Sequence, residues 1–224
     1  MIREIILPER GTCLRLNNLK ILRISIPHKA LKDVFIINGN SFLTENVTNS
    51  HLIINPKAYY MIINKGKNEI EISYNIDISN HHIIYNPYQY ELSEKVNFNP
   101  QEFKKQYPIP EGYIDFLAKW YSIKFTYPQY NLIFIRPELG ISIQIHKFRN
   151  EFWEIIDGKP IIINGNKVHY FVDKGVKFEN VKGTYHGVIN PNKNPDKFVI
   201  IKESWTGNFD ENDITRLFNP NNYQ

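Results

Sequence analysis

Cysteine is almost missing from this chain of 224 residues: Cys13 is the one thiol, so no intrachain disulfide can close and a reducing compartment is permitted. No apolar run approaches the roughly 20 residues that a membrane-crossing helix requires. The opening stretch Met1–Arg10 has a short apolar patch, but Pro8 and flanking charges break it and no small-residue cleavage site follows. It does not read as a signal peptide, and the expected location is cytoplasmic. A run of one charge is also lacking. The 27 Lys and Arg are scattered among 23 Asp and Glu for a net charge of +4, which argues against a nucleic-acid surface and is compatible with a small anionic substrate. Neither Gly-x-Gly-x-x-Gly nor a Gly-Lys-Ser/Thr loop occurs, so nucleotide chemistry has no fingerprint here.

What is present reads mostly as β. Short apolar or alternating runs at Ile21–Ile26, Val34–Ile37, Leu52–Ile54, Tyr59–Ile63, Ile70–Ile76 and Ile83–Tyr85 are separated by Asn, Gly and Pro, and the pattern resumes from Ile123 onward. Asn164-Gly165 predicts a tight hairpin, since both residues tolerate positive φ. Asn99-Pro100-Gln101-Glu102 predicts a capped helix to about Gln106, and the spacing of Tyr113, Phe116, Leu117 and Trp120 predicts a second helix over Gly112–Lys119. With Pro108 and Pro110 beside them, these pieces divide the chain into a β-rich part, 1–108, and a second part, 109–224. Ile36-Ile37-Asn38-Gly39-Asn40 echoes Ile162-Ile163-Asn164-Gly165-Asn166, and His51-Leu52-Ile53-Ile54-Asn55-Pro56 echoes His186 through Pro191. The first part is therefore read either as a degenerate second copy, with His51 a relic of a lost site, or as a plain β unit.

The chemistry concentrates in Gly140 through Trp153 and in Thr184 through Pro191. On a strand Gln144 and His146 project to one face, joined by Ser142. Glu151 follows within reach of a turn, and His186 lies on a later strand. Two imidazoles, an amide oxygen and a carboxylate suit one divalent ion, with positions left for substrate. The bland alternative for the histidines is hydrogen-bonded packing on the sheet. For the adjacent pair His81-His82 that bland reading is preferred, because neighbouring strand residues face opposite sides. Lys147 and Arg149 alternate away from His146 if the strand is regular, and are read either as a solvated face or as anchors for a sugar phosphate.

Gly140, His146, Glu151, Gly158 and His186 in this order resemble the metal motifs of the cupin superfamily. Ser142-x-Gln144-x-His146, Trp153 after Glu151, and the ending Glu211-x-Asp213-Ile214-x-Arg216 resemble the phosphomannose isomerases. The likeness covers residues 111–218. It departs where Lys147 and Phe148 replace a run of histidines, leaving Gln144 as substitute ligand. The resemblance implies an all-β double-stranded β-helix (jelly roll) with a metal-binding cupin domain over 109–224, and a bicupin if the first part is a copy. It also implies a metal-dependent isomerase interconverting mannose 6-phosphate and fructose 6-phosphate. Gln144, His146, Glu151 and His186 would hold one divalent metal: zinc first, with manganese, iron, cobalt or nickel as alternatives. Arg216 is carried over as the active-site arginine, Lys147 and Arg149 would bind substrate, and Glu203 or a metal-bound water would be the base. The expected partner is a phosphorylated sugar, with no nucleic acid and no membrane, and a homodimer is compatible. A catalytically inactive sugar-binding or structural cupin, or another cupin metalloenzyme, stands as the alternative.

Overall fold

The computed structural model describes residues 2–43, 47–208, 210 and 213–221. Glu211 of the closing motif lies outside the described residues. Two compact units emerge: Met1–Pro87 with Asn166–Val168, and Tyr88–Gly165 with His169–Gln224.

The first unit contains β1 (Ile2–Ile6), β2 (Leu14–Leu16), β3 (Leu22–Ser25), a 3-10 turn at His28–Asp33, β4 (Val34–Asn38), β5 (Ser41–Leu43), β6 (His51–Ile54), β7 (Tyr59–Asn64), β8 (Ile70–Tyr74) and β9 (His82–Tyr85). Its two antiparallel layers run β1-β8-β3-β6 and β5-β4-β7-β2-β9. Alternation along the strands turns Leu22, Ile24, Ile36, Ile62, Ile72 and Tyr74 into one shared core.

The second unit begins with α1 (Pro100–Gln106), followed by β10 (Asp115–Ala118), β11 (Ser122–Thr126), β12 (Asn131–Ile135), β13 (Ile143–Ile145), β14 (Arg149–Asp157) and β15 (Ile161–Asn164). The short β16 (Lys167–His169), whose Lys167 and Val168 belong to the first unit, is followed by β17 (Lys177–Asn180), β18 (His186–Ile189), β19 (Val199–Gly207) and β20 (Thr215–Phe218). Here the layers run β10-β11-β12-β19-β14-β17 and β20-β13-β18-β15. This is an all-β jelly roll. Among the described residues, no helix is long and apolar enough to cross a membrane.

Strand for strand, the two units repeat one topology. The layer β1-β8-β3-β6 corresponds to β12-β19-β14-β17, and β4-β7-β2-β9 corresponds to β15-β18-β13-β20. The Asn38-Gly39 and Asn164-Gly165 echo falls on equivalent hairpin turns. The other echo does not. His51 lies on β6, whose counterpart is β17, whereas His186 lies on β18, whose counterpart is β7. His51 is exposed and hydrogen-bonded to Ser25 Oγ at 3.1 Å, so it is no relic of a metal site. His81 and His82 divide as expected: His81 is buried against Tyr60, and His82 is exposed.

Asn99 caps α1, its Oδ1 accepting from the amides of Gln101 and Glu102 at 2.9 and 3.3 Å. The helix sends Phe103 into an aromatic cluster with Phe125, Phe134 and Phe198 and so belongs to the second unit, which starts at Tyr88, ahead of the expected division at 108/109. The helix expected over Gly112–Lys119 is instead the edge strand β10, in register with β11 from Asp115↔Thr126 to Ala118↔Ile123. Its apolar residues have no core to face as a helix: Phe116 and Leu117 are 44% and 43% exposed, and backbone pairing with β11 decides the conformation.

Candidate metal centre and active site

The larger layer of the second unit has two unlike faces. Registers Ser122↔Ile135, Lys124↔Ile133, Asn131↔Glu203 and Trp153↔Glu203 put Ser122, Lys124, Asn131, Ile133, Glu203, Glu151 and Trp153 on one face. Ile123, Phe125, Leu132, Phe134 and Ile200 occupy the other, against α1. The first face, packed through Ile133, Trp153, Ile155 and Val188, carries the polar site.

His146, Glu151 and His186 are each 1% exposed, and their ligand atoms lie within 4.8 Å of one another. Among the described residues they are the one such group of His, Cys, Asp or Glu. His186 Nδ1 donates to the Thr184 carbonyl at 3.1 Å, and His146 Nδ1 donates to the Asp213 carbonyl. A carbonyl only accepts, so each Nδ1 carries a proton and each Nε2 faces inward, the orientation that metal-ligating histidines take. His146 Nε2 lies 3.0 Å from Glu151 Oε1, and His186 Nε2 lies 3.5 Å from Oε2. Glu151 Oε2 and His186 Nε2 are buried without a hydrogen-bond partner.

Burial works against a charged Glu151, yet the His146 hydrogen bond and the charges of both histidines and Arg149 bring its pKa down to about 2. Burial likewise depresses His186 to about 4, against the pull of Glu151. At neutral pH the set is therefore a carboxylate and a neutral imidazole with unshared lone pairs. Burial would also lower His146, but its bond to Glu151 and that residue's charge raise it. The residues fit a divalent cation.

Gln144 faces the same point, its Nε2 3.3 Å from His146 Nε2 while Oε1 accepts from Ser142 Oγ at 2.7 Å. A half-turn of the amide brings the oxygen round, and the serine hydroxyl then accepts instead of donating. The sequence places Arg149 away from His146; the structure does the opposite. β13 ends at Ile145, a bend at Lys147-Phe148 resets the alternation, and β14 restarts with Arg149 and Glu151 in phase. Arg149, 4% exposed, donates through Nε to Glu151 Oε1 at 2.9 Å and sets Nη2 3.2 Å from His146 Nε2. It takes one carboxylate oxygen and leaves the other. Lys147, on that bend, is exposed and is not brought to the cavity, and Phe148 is 62% exposed. The residues standing in for the histidine run therefore lie outside the site.

Asp213 explains its own place in the closing motif. Its carboxylate accepts from the Lys147 and Phe148 amides, both at 3.0 Å, while its carbonyl orients His146. Arg216 is set by register, directly beside Gln144 across β13 and β20. Glu203 accepts from Asn131 Nδ2 at 2.8 Å and Trp153 Nε1 at 3.0 Å. Its burial, with Glu151 nearby, raises its pKa to about 7 despite those two donors.

A cavity of about 110 Å³ joins these groups, lined by Gln144, Arg149, Glu151, Glu203 and Arg216 and, at the β10–β11 hairpin, by Lys119, Tyr121, Ser122 and Lys124. Those hairpin residues were missed in the sequence, because a helix was expected there. Their alternation, Ser122 and Lys124 on one face of a short strand, was the available signal. The two motif glycines have steric reasons: a Cβ on Gly140 would stand 2.7 Å from the Val188 carbonyl, and Gly158 has φ +85° with the Phe198 carbonyl 2.9 Å from a Cβ.

Residues 119–219 match the family described as mannose-6-phosphate isomerase C-terminal. The match covers a little under half of the chain, and this segment is similar to that family. Among solved structures, a cupin-superfamily sugar phosphate isomerase from Silicibacter pomeroyi is 16% identical with a TM-score of 0.34, over 39% of this chain and 60% of its own. A cupin 2 conserved barrel domain protein from Leptotrichia buccalis is 13% identical with a TM-score of 0.32, over 92% and 82%. Oxalate decarboxylase from Bacillus subtilis is 9% identical with a TM-score of 0.35, over 96% and 70%. No curated protein matched the chain.

The His146–Glu151–His186 set is not repeated in the first unit. Matching bulges at Ile143/Gln144 and Leu14/Arg15 put Arg15 in the place of Gln144 and Asn17 in that of His146. Tyr60 replaces His186 and Tyr74 replaces Glu203. There Tyr60 Oη lies 2.7 Å from His81 Nδ1, and Tyr74 donates to Glu4 at 2.5 Å.

Proposed function

We propose that the protein is a metal-dependent aldose–ketose isomerase that interconverts mannose 6-phosphate and fructose 6-phosphate. The observation that carries this reading is one cavity lined by Glu151 of the His146–Glu151–His186 cluster, by Glu203, a carboxyl group poised near neutrality, and by Arg216. Gln144, His146, Glu151 and His186 would hold the metal, zinc before manganese, iron, cobalt or nickel. Once bound, the ion supplies Lewis-acid polarisation of the substrate's C1 and C2 oxygens.

The chain's own groups do the rest. Glu203 takes a proton from C2 of the aldose and returns it to C1, a task suited to a group that ionises near pH 7. Trp153 and Asn131 fix both its oxygens, so the carboxylate does not swing out of line. Arg216, exposed at the mouth beside Gln144, stabilises the enediolate oxygens as charge develops on them. Arg149 orients Glu151 through Nε rather than reaching the phosphate.

The test is a coupled assay on protein stripped with chelator and reloaded with each of the five metals in turn. Isomerisation that vanishes with the metal and returns on reloading is the expected result. A protein that binds one metal per chain yet converts no mannose 6-phosphate would overturn the reading in favour of a sugar-binding cupin.

A further inference from the structure

We propose that Lys119 and Lys124, with the hydroxyls of Tyr121 and Ser122, form the seat for the phosphate group of a sugar-phosphate substrate; this rests on the isomerase reading of the cavity. All four line that cavity. Ser122 and Lys124 alternate on β11 to the face that carries Glu203 and Glu151, through the registers Lys124↔Ile133 and Ser122↔Ile135. Lys119 is tied to the same edge, since its amide donates to the Ser122 carbonyl at 2.9 Å and closes the hairpin between β10 and β11. That short loop places two ammonium groups and two hydroxyls within six consecutive residues.

Charge decides what they are for. The charged residues lining the cavity are four cations, Lys119, Lys124, Arg149 and Arg216, against two acids, Glu151 and Glu203. Arg149 already binds Glu151. Cations thus outnumber acids two to one around the cavity, with Lys119 and Lys124 on the hairpin side. A neutral sugar gives these cations nothing to neutralise, whereas a phosphate dianion does, through charge-assisted hydrogen bonds. With the anion on the hairpin, the other end of an open-chain hexose points to the carboxylate and histidine end, where the chemistry is proposed. The Lys147 anchor expected from the sequence is thereby replaced by residues of another element.

The experiment is equilibrium titration of the metal-loaded protein with mannose 6-phosphate, mannose and inorganic phosphate, read by calorimetry. It is done on wild type, Lys119→Met, Lys124→Met and the double variant; methionine keeps each apolar stem. Wild type is expected to prefer mannose 6-phosphate over mannose, and each substitution to reduce that preference about tenfold, the usual scale for one charge-assisted contact. The double variant is expected to lose phosphate binding with bound metal and thermal midpoint unchanged. Undiminished preference in the double variant, or no preference in wild type, overturns the seat. Turnover is scored separately: phosphate-dependent binding lost in the double variant, in a protein that isomerises nothing, keeps the seat and rejects the isomerase.

Discussion

The Trp153 indole donates to Glu203 Oε2 at 3.0 Å from a position directly across two paired strands. This bond couples the tryptophan of the metal motif to the acid of the proposed proton transfer. Removing it takes away one of two donors that favour the ionised form, so Trp153→Phe is expected to raise the Glu203 pKa further. If Glu203 is the base, the acid limb of the kcat/KM profile, expected near pH 7, moves to higher pH in Trp153→Phe. A limb that stays in place would assign the base elsewhere.

Glu203 also has a signature in stability. Its folded pKa of about 7 lies above its ordinary 4.5, so the native state holds the proton more tightly than the unfolded chain. Its contribution is fully present below about pH 4.5 and is lost as pH rises through about 7. Glu203→Gln keeps an acceptor for Trp153, and the Asn131 amide can turn to accept from the new one. The stability of Glu203→Gln relative to wild type, from urea melts of metal-free protein, is expected to rise from pH 4.5 to 7 and level off above. A flat difference would mean that this carboxyl is not held protonated.

The metal centre gives the opposite slope. His186 is depressed to about 4 from 6.5, so its contribution is present above 6.5 and lost as pH falls through 4; that of Glu151, depressed to about 2 from 4.5, goes at still lower pH. Protein purified without added metal and analysed by mass spectrometry is expected to carry one ion per chain. His186→Ala and Glu151→Ala should each reduce that to well under one, since removing one of few ligands removes much of the site's affinity. His186→Asn, melted without metal, should lose the acid-side decline between pH 6.5 and 4. Stoichiometric metal in His186→Ala would take that residue out of the ligand set.

How legible was all this? Strands bounded by Asn, Gly and Pro could be read directly, because each buries one face and alternates. The capped start of α1 was equally plain. Gly140, His146, Glu151 and His186 could be named because ligand chemistry depends on residue type and order. Arg149 could not be oriented: its direction depends on whether a bend interrupts the strand, and the bend is held by Asp213 from far along the chain. The edge strand β10 was misread because apolar spacing alone does not reveal a pairing partner. The equivalence of His51 and His186 failed similarly, since identity of residues in an Ile- and Asn-rich chain says nothing of which strand pairs with which.

In the first unit the place of the metal site is taken by hydrogen bonds that should matter for folding alone. Tyr60 is fully buried, and its hydroxyl meets His81 Nδ1 at 2.7 Å, while His81 Nε2 has no hydrogen-bond partner. Tyr60→Phe leaves both imidazole nitrogens buried without hydrogen bonds, at a cost of about 1–3 kcal/mol. Chemical denaturation should show that loss while metal content stays at wild-type level. Metal lost along with stability would tie this network to the site of the second unit.

Arg216 tests the isomerase mechanism most directly. It is exposed and paired with Gln144 across strands, and among the described residues it makes no ion pair with a carboxylate. A structural salt bridge is therefore not at stake, and Arg216→Ala should leave the melting temperature and bound metal near wild type. Its proposed work is electrostatic and falls due only as negative charge grows on the enediolate. Interactions made in the transition state alone lower kcat and kcat/KM together when removed. Loss of one preorganised donor typically reduces the rate about a hundredfold or more, so Arg216→Ala should fall by that order on mannose 6-phosphate with KM little changed. Arg216→Lys, which keeps the charge but not the planar fork, should recover part of it. If Arg216→Ala instead raises KM with kcat intact, the guanidinium binds the ground state and belongs with Lys119 and Lys124 in holding the anion. If neither parameter moves, the arginine is solvated surface and the enediolate must be stabilised from another wall of the cavity.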